Sequence, residues 1–116
     1  MQNDLLGLAE VQAEFNQLHD HPKLNSYAKQ CKYCFWYQCQ EPSKANTYSG
    51  TAILTKRQPK SVLFGFHKHI EANNEGRLIT LRFDDCSLIQ LYAPAQVHKN
   101  EIFLEKLIQH VQHEQI

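Results

Sequence analysis

The clearest pattern of hydrophobic and polar positions lies between residues 46 and 96 and predicts β-strands separated by turns. In the run Leu78–Phe83, apolar residues alternate with Thr80 and Arg82, so the two sets fall on opposite faces of a strand. Turn-forming residues follow at 84–86. Ser87–Tyr92 is the predicted antiparallel neighbour, and it is ended by Pro94, which has no N–H to give to a ladder.

Shorter elements are predicted on both sides of this pair of strands. Apolar runs predict further strands at Leu5–Leu8, Tyr33–Cys39, Thr51–Leu54 and Pro59–Phe66. Residues 12–30 predict one or two short helical turns, interrupted where Pro22 follows His21. Residues 100–115 form the strongest helix pattern, with Asn100 as the N-cap, and His110 and His113 are assigned to its polar, frayed end.

Composition bounds the class of protein. At 116 residues, the chain is expected to form one small domain over residues 1–116. Hydrophobic residues make up 42% and charged residues 21%, which argues against disorder. Twelve basic residues balance twelve acidic ones, so contact with nucleic acid needs a local patch. No apolar run is long enough for a bilayer and no signal-peptide pattern opens the chain, so an intracellular location is expected.

The four cysteines are a separate candidate site. Cys31 and Cys34 have the C-x-x-C spacing at which two thiolates grip one zinc ion, and Cys39 follows them. No second pair of ligands stands at a usual distance, and residues 33–39 also form an aromatic strand on which alternate thiols face opposite sides. Reduced structural cysteines are therefore the favoured interpretation, and a metal site is the alternative.

Charged residues mark two further candidate positions. Glu10 follows the apolar run 5–8, which is typical of a buried strand that delivers a carboxylate to a site at its end. The alternative is that Glu10 only caps the strand or starts a helix. Lys56, Arg57 and Lys60 form a short basic loop that can hold phosphate charge, although such a loop is more often simply solvated.

Three motifs carry a resemblance to a known family. They are Tyr48-Ser49-Gly50 before an apolar strand, Glu75-Gly76-Arg77 before the next strong strand, and Leu91-Tyr92-Ala93-Pro94 at a strand end. Each is common alone, but their order and spacing together are specific. In these motifs the chain resembles the exodeoxyribonuclease III and apurinic/apyrimidinic endonuclease branch of the endonuclease/exonuclease/phosphatase superfamily.

The resemblance implies roles for Glu10, Tyr92 and Tyr48, and the forked donors of Arg77 suggest a fourth role, in binding phosphate. Glu10 matches the metal-binding glutamate of the family and would bind Mg²⁺, or Mn²⁺, through its hard carboxylate oxygens. Tyr92 matches the active-site tyrosine that hydrogen-bonds the phosphate under attack, so it is the predicted catalytic residue. Tyr48 and Arg77 are the predicted nucleic-acid-binding residues. Their alternatives are a turn tyrosine packed on the sheet and an arginine that fixes the start of a strand.

The resemblance also implies the fold. It predicts an α/β (α+β) domain that is about half of a two-sheet α/β sandwich, with a mostly antiparallel sheet and helices packed on one face. The Gly-Asp-x-Asn and Ser-Asp-His segments of the family do not occur in the sequence. An internal portion of such a domain is therefore expected: a fragment, a truncated product or a decayed copy. Its apolar sheet surface predicts poor solubility or self-association.

The implied function is a Mg²⁺-dependent phosphodiesterase of DNA repair that cuts an abasic duplex or degrades DNA from its 3′ end, here in an incomplete form. One alternative is a non-catalytic module that binds nucleic acid or a partner chain. Another is a fragment of a retroelement-type endonuclease, where Tyr-Ala-Pro is also common. The Tyr-Ser-Gly and Glu-Gly-Arg motifs favour the repair branch over the retroelement-type endonuclease.

Overall fold

The computed structural model describes residues 5–9, 20–38, 50–66, 76–94 and 100–114. Strands in these residues pair into two antiparallel three-stranded sheets, in the orders β1-β3-β2 and β4-β5-β6. The predicted, mostly antiparallel α/β arrangement is therefore confirmed. The described elements are, in chain order, β1 (Leu5–Ala9), α1 (Pro22–Gln30), β2 (Tyr33–Tyr37), β3 (Thr51–Thr55), β4 (Ser61–Phe64), β5 (Leu78–Arg82), β6 (Ser87–Leu91) and α2 (Glu101–Glu114).

The two sheets pack face to face around an apolar core. Ile53 of β3 and Ile79 and Leu81 of β5 are fully buried there, and Tyr37 of β2 is buried beside them. These side chains come from alternate positions because successive residues of a strand point to opposite faces of its sheet. Burial of this apolar surface is the main force that holds the sheets together. Partly buried side chains complete the core: Leu5, Phe35, Val62, Phe83 and Leu88.

Helix α2 covers the other face of the β4-β5-β6 sheet. Its Phe103 ring meets Phe66 edge to face, with ring centroids 5.4 Å apart. Thr80 and Arg82 of β5 bond to residues of this helix, whereas Ile79 faces the opposite sheet. The alternation predicted for this strand is thus confirmed.

Polar contacts join α2 to β5. The Thr80 hydroxyl lies 2.8 Å from His110 Nε2, and both side chains are buried. Arg82 donates to both carboxylate oxygens of Glu114 at 2.6 to 3.2 Å, as a bidentate pair. The prediction that His110 lies in a polar, frayed helix end is therefore wrong. His110 is only 2% exposed, and the centroid of its ring lies 5.8 Å from that of Phe66.

Local signals decide where the helices begin. Asn100 caps α2, since its Oδ1 accepts a hydrogen bond from the Phe103 N–H at 3.0 Å. Helix α1 begins at Pro22, the residue at which the sequence predicts an interruption, and residues 12–19 of the predicted segment lie outside the described residues. Proline suits the first turn of a helix, where its missing N–H would have no partner within the helix. No helix among the described residues combines the length and apolar character needed to cross a membrane.

Replacing Gly76 with alanine is expected to destabilise the fold by about 1–3 kcal/mol. Gly76 has a φ of 63°, and an added Cβ would lie 2.7 Å from the backbone carbonyl oxygen of Gln38. Gly7→Ala is the matched control, because the atoms nearest its Cβ would belong to the flexible side chain of Gln90. Urea unfolding measures both variants, and equal losses of stability would contradict this explanation.

Candidate functional site at one edge of the sandwich

One edge of the sandwich brings together the ends of β1, β2 and β6 and the beginnings of β3 and β5. We call it the site edge and define it by Ala9, Thr51, Gly76, Arg77 and Tyr92. Ala9 pairs with Thr51, whose Oγ1 donates to the Gly76 carbonyl oxygen at 2.7 Å. The Tyr92 N–H donates to the Arg77 carbonyl oxygen at 2.8 Å. These contacts link the end of β1 in one sheet to the residue that follows β6 in the other.

Strands β1 and β6 run in the same direction on opposite sides of the core. Leu5 and Leu88, near the two strand beginnings, line the same cavity. Two residues further along each strand, Gly7 lies against Gln90, so closely that a Cβ on Gly7 would be 2.5 Å from Oε1. Because the chain advances equally along both strands, the ends of β1 and β6 reach the same edge.

Two of the four predicted site residues, Glu10 and Tyr48, lie outside the described residues. Glu10 is joined directly to Ala9, the last residue of β1, and Tyr48 precedes Gly50, which is buried just before β3. Both described neighbours belong to strand ends at the site edge. The predicted pocket between Glu10 and Tyr92 stays a prediction. The structure does define the two strands that lead to these residues, β1 and β6.

The other two predicted site residues, Arg77 and Tyr92, are in direct contact. Arg77 Nη1 donates to the Tyr92 carbonyl oxygen at 3.1 Å, and the Arg77 Cζ atom lies 5.2 Å from the centroid of the Tyr92 ring. This second distance is within the range of a cation–π contact. Arg77 is only 4% exposed, whereas Tyr92 is half-buried. Tyr92 is therefore the more exposed residue of the pair.

Potential metal ligands are the least defined part of the candidate site. Among the described residues, no group of three or more His, Cys, Asp or Glu side chains is arranged to hold an ion. Hydroxyl, phenol and guanidinium groups at the site edge are not the carboxylate ligands that Mg²⁺ favours. The expectation of Mg²⁺ or Mn²⁺ therefore rests on Glu10.

The basic residues that follow β3 lie at the opposite end of the sandwich from the site edge. Arg57 Nη2 lies 2.6 Å from Asp85, and Lys60 Nζ lies 2.7 Å from Asp84. The hydrogen bond from Arg57 holds the pKa of Asp85 below its usual range. Such exposed pairs add little stability, but each base neutralises a neighbouring carboxylate. This arrangement favours a solvated loop over a phosphate-binding one.

Thr51 and Gln90 organise the sandwich at and near the site edge, and neither was predicted from the sequence. Thr51 links the two sheets through its buried hydroxyl, and Gln90 fills the space left by Gly7. A glycine within an apolar strand is a signal of close approach, so the contact at Gly7 was open to prediction. A threonine at a strand start is too common to indicate a bond to a second sheet.

Cys34 is expected to react slowly with iodoacetamide at pH 8. Burial, and then repulsion from Cys31, raise the pKa of the Cys34 thiol to about 11, and only the thiolate is a nucleophile or metal ligand. Cys86 is exposed and should react much faster. The rate at Cys34 should rise about tenfold per pH unit as its thiolate fraction grows. Peptide mass mapping gives both rates in one sample, and equal rates at pH 8 would contradict the raised pKa.

No protein-family model matches the chain. Curated relatives match a segment of about 40% of it. An exodeoxyribonuclease of Bacillus subtilis (strain 168) is 40% identical over 47 residues. A DNA-(apurinic or apyrimidinic site) endonuclease of Dictyostelium discoideum is 41% identical over 49 residues, and the DNA repair nuclease APEX1 of Danio rerio is 45% identical over 47 residues.

These matches cover 18%, 13% and 15% of the respective relatives, so the chain matches less than a fifth of the length of each. The names of all three relatives describe nucleases, and one relative is named for action at apurinic or apyrimidinic sites. The resemblance to the exodeoxyribonuclease III and apurinic/apyrimidinic endonuclease branch is thereby confirmed over this segment.

Proposed function

We propose that the chain contributes the phosphate-binding edge of a DNA-repair phosphodiesterase, one that cuts DNA beside an abasic site or removes nucleotides from a 3′ end. The observation that carries this proposal is the run of contacts from Ala9 through Thr51 and Gly76 to Arg77 and Tyr92. It holds the predicted catalytic phenol on the edge where β1 ends, and the residue after β1 is the predicted metal ligand. The names of the relatives support DNA as the substrate.

Tyr92 would act on phosphate through its hydroxyl group. A phenol placed at a phosphoryl oxygen donates a hydrogen bond and stabilises the negative charge that develops there, without itself reacting. Its ring has an apolar body that packs on the protein and a polar tip that reaches a ligand. The half-buried position of Tyr92 suits this use.

Glu10 would supply a carboxylate for Mg²⁺ or Mn²⁺ at the same edge. When bound, such an ion supplies Lewis-acid polarisation of the phosphate. Tyr48, two residues before Gly50 in the sequence, would contact the DNA beside the abasic site. The net charge of the chain is zero, so binding would depend on local contacts at the site edge rather than on a long-range field.

The test is cleavage of a labelled duplex with one abasic site, in Mg²⁺ and in EDTA. Glu10→Gln removes the predicted metal-binding charge. Glu105→Gln is the matched control, because Glu105 is exposed on α2 and the chemical change is the same. Purifying all variants identically also tests for a contaminating nuclease, since contamination would cleave in every sample. Fluorescence anisotropy on the same duplex measures binding separately.

Cleavage that EDTA and Glu10→Gln abolish, and that Glu105→Gln preserves, would support the phosphodiesterase. Binding without cleavage would instead favour the non-catalytic nucleic-acid-binding module. If the folded protein neither binds nor cleaves the duplex, the proposal is overturned.

A further inference from the structure

We propose that Arg77 is a positioning residue that holds Tyr92 in place, and that it does not itself contact DNA phosphate. The proposal rests on the proposed function for what Tyr92 does. The contact between the two residues can nevertheless be tested without DNA. It replaces the simpler prediction, drawn from the sequence, that Arg77 binds the nucleic acid directly.

Burial sets the role of the Arg77 side chain. Arg77 is 4% exposed, so its guanidinium cannot meet a phosphate unless the site edge first rearranges. The preceding residue, Gly76, lies in close backbone contact with the end of β2 and accepts a hydrogen bond from Thr51. Arg77 therefore lies in a segment whose backbone is held in place by contacts with both sheets.

Arg77 contacts Tyr92 in three ways. Its carbonyl oxygen accepts the Tyr92 N–H at 2.8 Å, and its Nη1 donates to the Tyr92 carbonyl oxygen at 3.1 Å. Its guanidinium lies over the ring, 5.2 Å from the centroid. The first two contacts fix the backbone of Tyr92, and the third restricts the orientation of its ring.

A cation over an aromatic face also changes the phenol. It attracts electron density from the ring, so the hydroxyl becomes a stronger hydrogen-bond donor. The fixed ring and the stronger donor would both help the phenol to bond a phosphoryl oxygen in one geometry. Small misplacements of a catalytic group lower the reaction rate by large factors. Lysine would keep the charge but lose the planar fork that bonds the carbonyl and covers the ring.

Salt dependence separates positioning from direct phosphate contact. Loss of one phosphate contact lowers the slope of log K against log salt by about one. We expect Arg77→Gln to leave the slope for the abasic duplex unchanged. The matched control is Arg57→Gln, which removes the same charge at the opposite end of the sandwich. A slope lowered by about one in Arg77→Gln but not in Arg57→Gln would overturn the proposal.

The second readout reports on Tyr92 itself. Tyrosine is replaced by 3-fluorotyrosine, and the ¹⁹F resonance of residue 92 is assigned by its loss in Tyr92→Phe. We expect Arg77→Lys to shift this resonance while circular dichroism stays that of the folded wild type. An unchanged resonance would overturn the contact. Because Arg77→Lys retains a charge in the buried position, this arm remains informative if Arg77→Gln fails to fold.

Turnover links the contact to chemistry. We expect Arg77→Lys to lower kcat for abasic-site cleavage by about 10–100-fold with little change in KM. A change in KM alone would overturn positioning. If Tyr92→Phe leaves cleavage unchanged while the ¹⁹F shift occurs, the proposed function fails and the contact between the residues stands. The two failures are thus distinguishable.

Discussion

Tyr92→Phe is expected to lower the rate of abasic-site cleavage by about 10²–10³-fold, the usual effect of removing one donor to a developing negative charge. The substitution removes the hydroxyl and keeps the ring, so the contact with Arg77 should persist. Binding of the duplex should change little, since the lost hydrogen bond strengthens only as charge develops on the phosphate. Single-turnover cleavage, measured beside anisotropy, separates the two effects.

Tyr33→Phe is the matched control for this substitution. Tyr33 pairs with Thr55 at the end of the sandwich opposite the site edge and is half-buried, as Tyr92 is. Removal of its hydroxyl should leave cleavage within about twofold of wild type, as expected for a substitution away from the site. A Tyr92→Phe enzyme that cleaves as fast as Tyr33→Phe would remove Tyr92 from the catalytic role.

Ile79→Ala is expected to destabilise the protein by about 2–5 kcal/mol. Ile79 is fully buried between the two sheets, in contact with the apolar cluster that includes Ile53 and Tyr37. Removing its side chain leaves a cavity where the two layers meet, which rigid sheets fill poorly. Chemical unfolding monitored by Trp36 fluorescence would measure the loss.

Ile102 offers the matching change on the surface. It lies on α2 and is 67% exposed, so Ile102→Ala should change stability by less than about 0.5 kcal/mol. Similar losses in both variants would show that the interface between the sheets is not the principal core. A large loss in Ile79→Ala alone would support the packing that brings the two strand ends to one edge.

Local patterns in the sequence were sufficient for the strands. The alternation in Leu78–Phe83 reports which side chains share a face, because strand geometry repeats every two residues. The cap at Asn100 was equally local, since the amide oxygen needs only the N–H groups of the next turn. These features depend only on neighbours in the sequence, so they can be predicted without knowledge of the fold.

Contacts between distant segments were not predictable in the same way. The pairing of Thr80 with His110 joins residues 30 positions apart, and a helical period does not say which polar side chain will face a sheet. Arg77 was predicted to bind nucleic acid, or else to fix the start of a strand, and neither prediction included its burial, because arginine is seldom buried. Its burial depends on the approach of β2, β3 and β6 to one edge, which only the tertiary arrangement defines.

The segment matched by the relatives and the contacts at the site edge independently support the proposed relation to DNA-repair nucleases. The relatives locate a nuclease resemblance in about 40% of the chain. The fold brings Arg77 and Tyr92, from two separate motifs, into contact. Thr51, which pairs with Ala9 at the end of β1, bonds to Gly76 next to Arg77. The predicted self-association can be measured by light scattering, where a monodisperse monomer would contradict it.

The most direct test of the shared edge is paramagnetic broadening by Mn²⁺ of the ¹⁹F resonances of the fluorotyrosine-labelled protein. If Glu10 binds the ion beside Tyr92, the Tyr92 resonance should broaden strongly while that of Tyr33, at the opposite end of the sandwich, stays narrow. Glu10→Gln should abolish the broadening. Equal broadening of the two resonances, or broadening that Glu10→Gln leaves intact, would contradict a common site for the acid and the phenol.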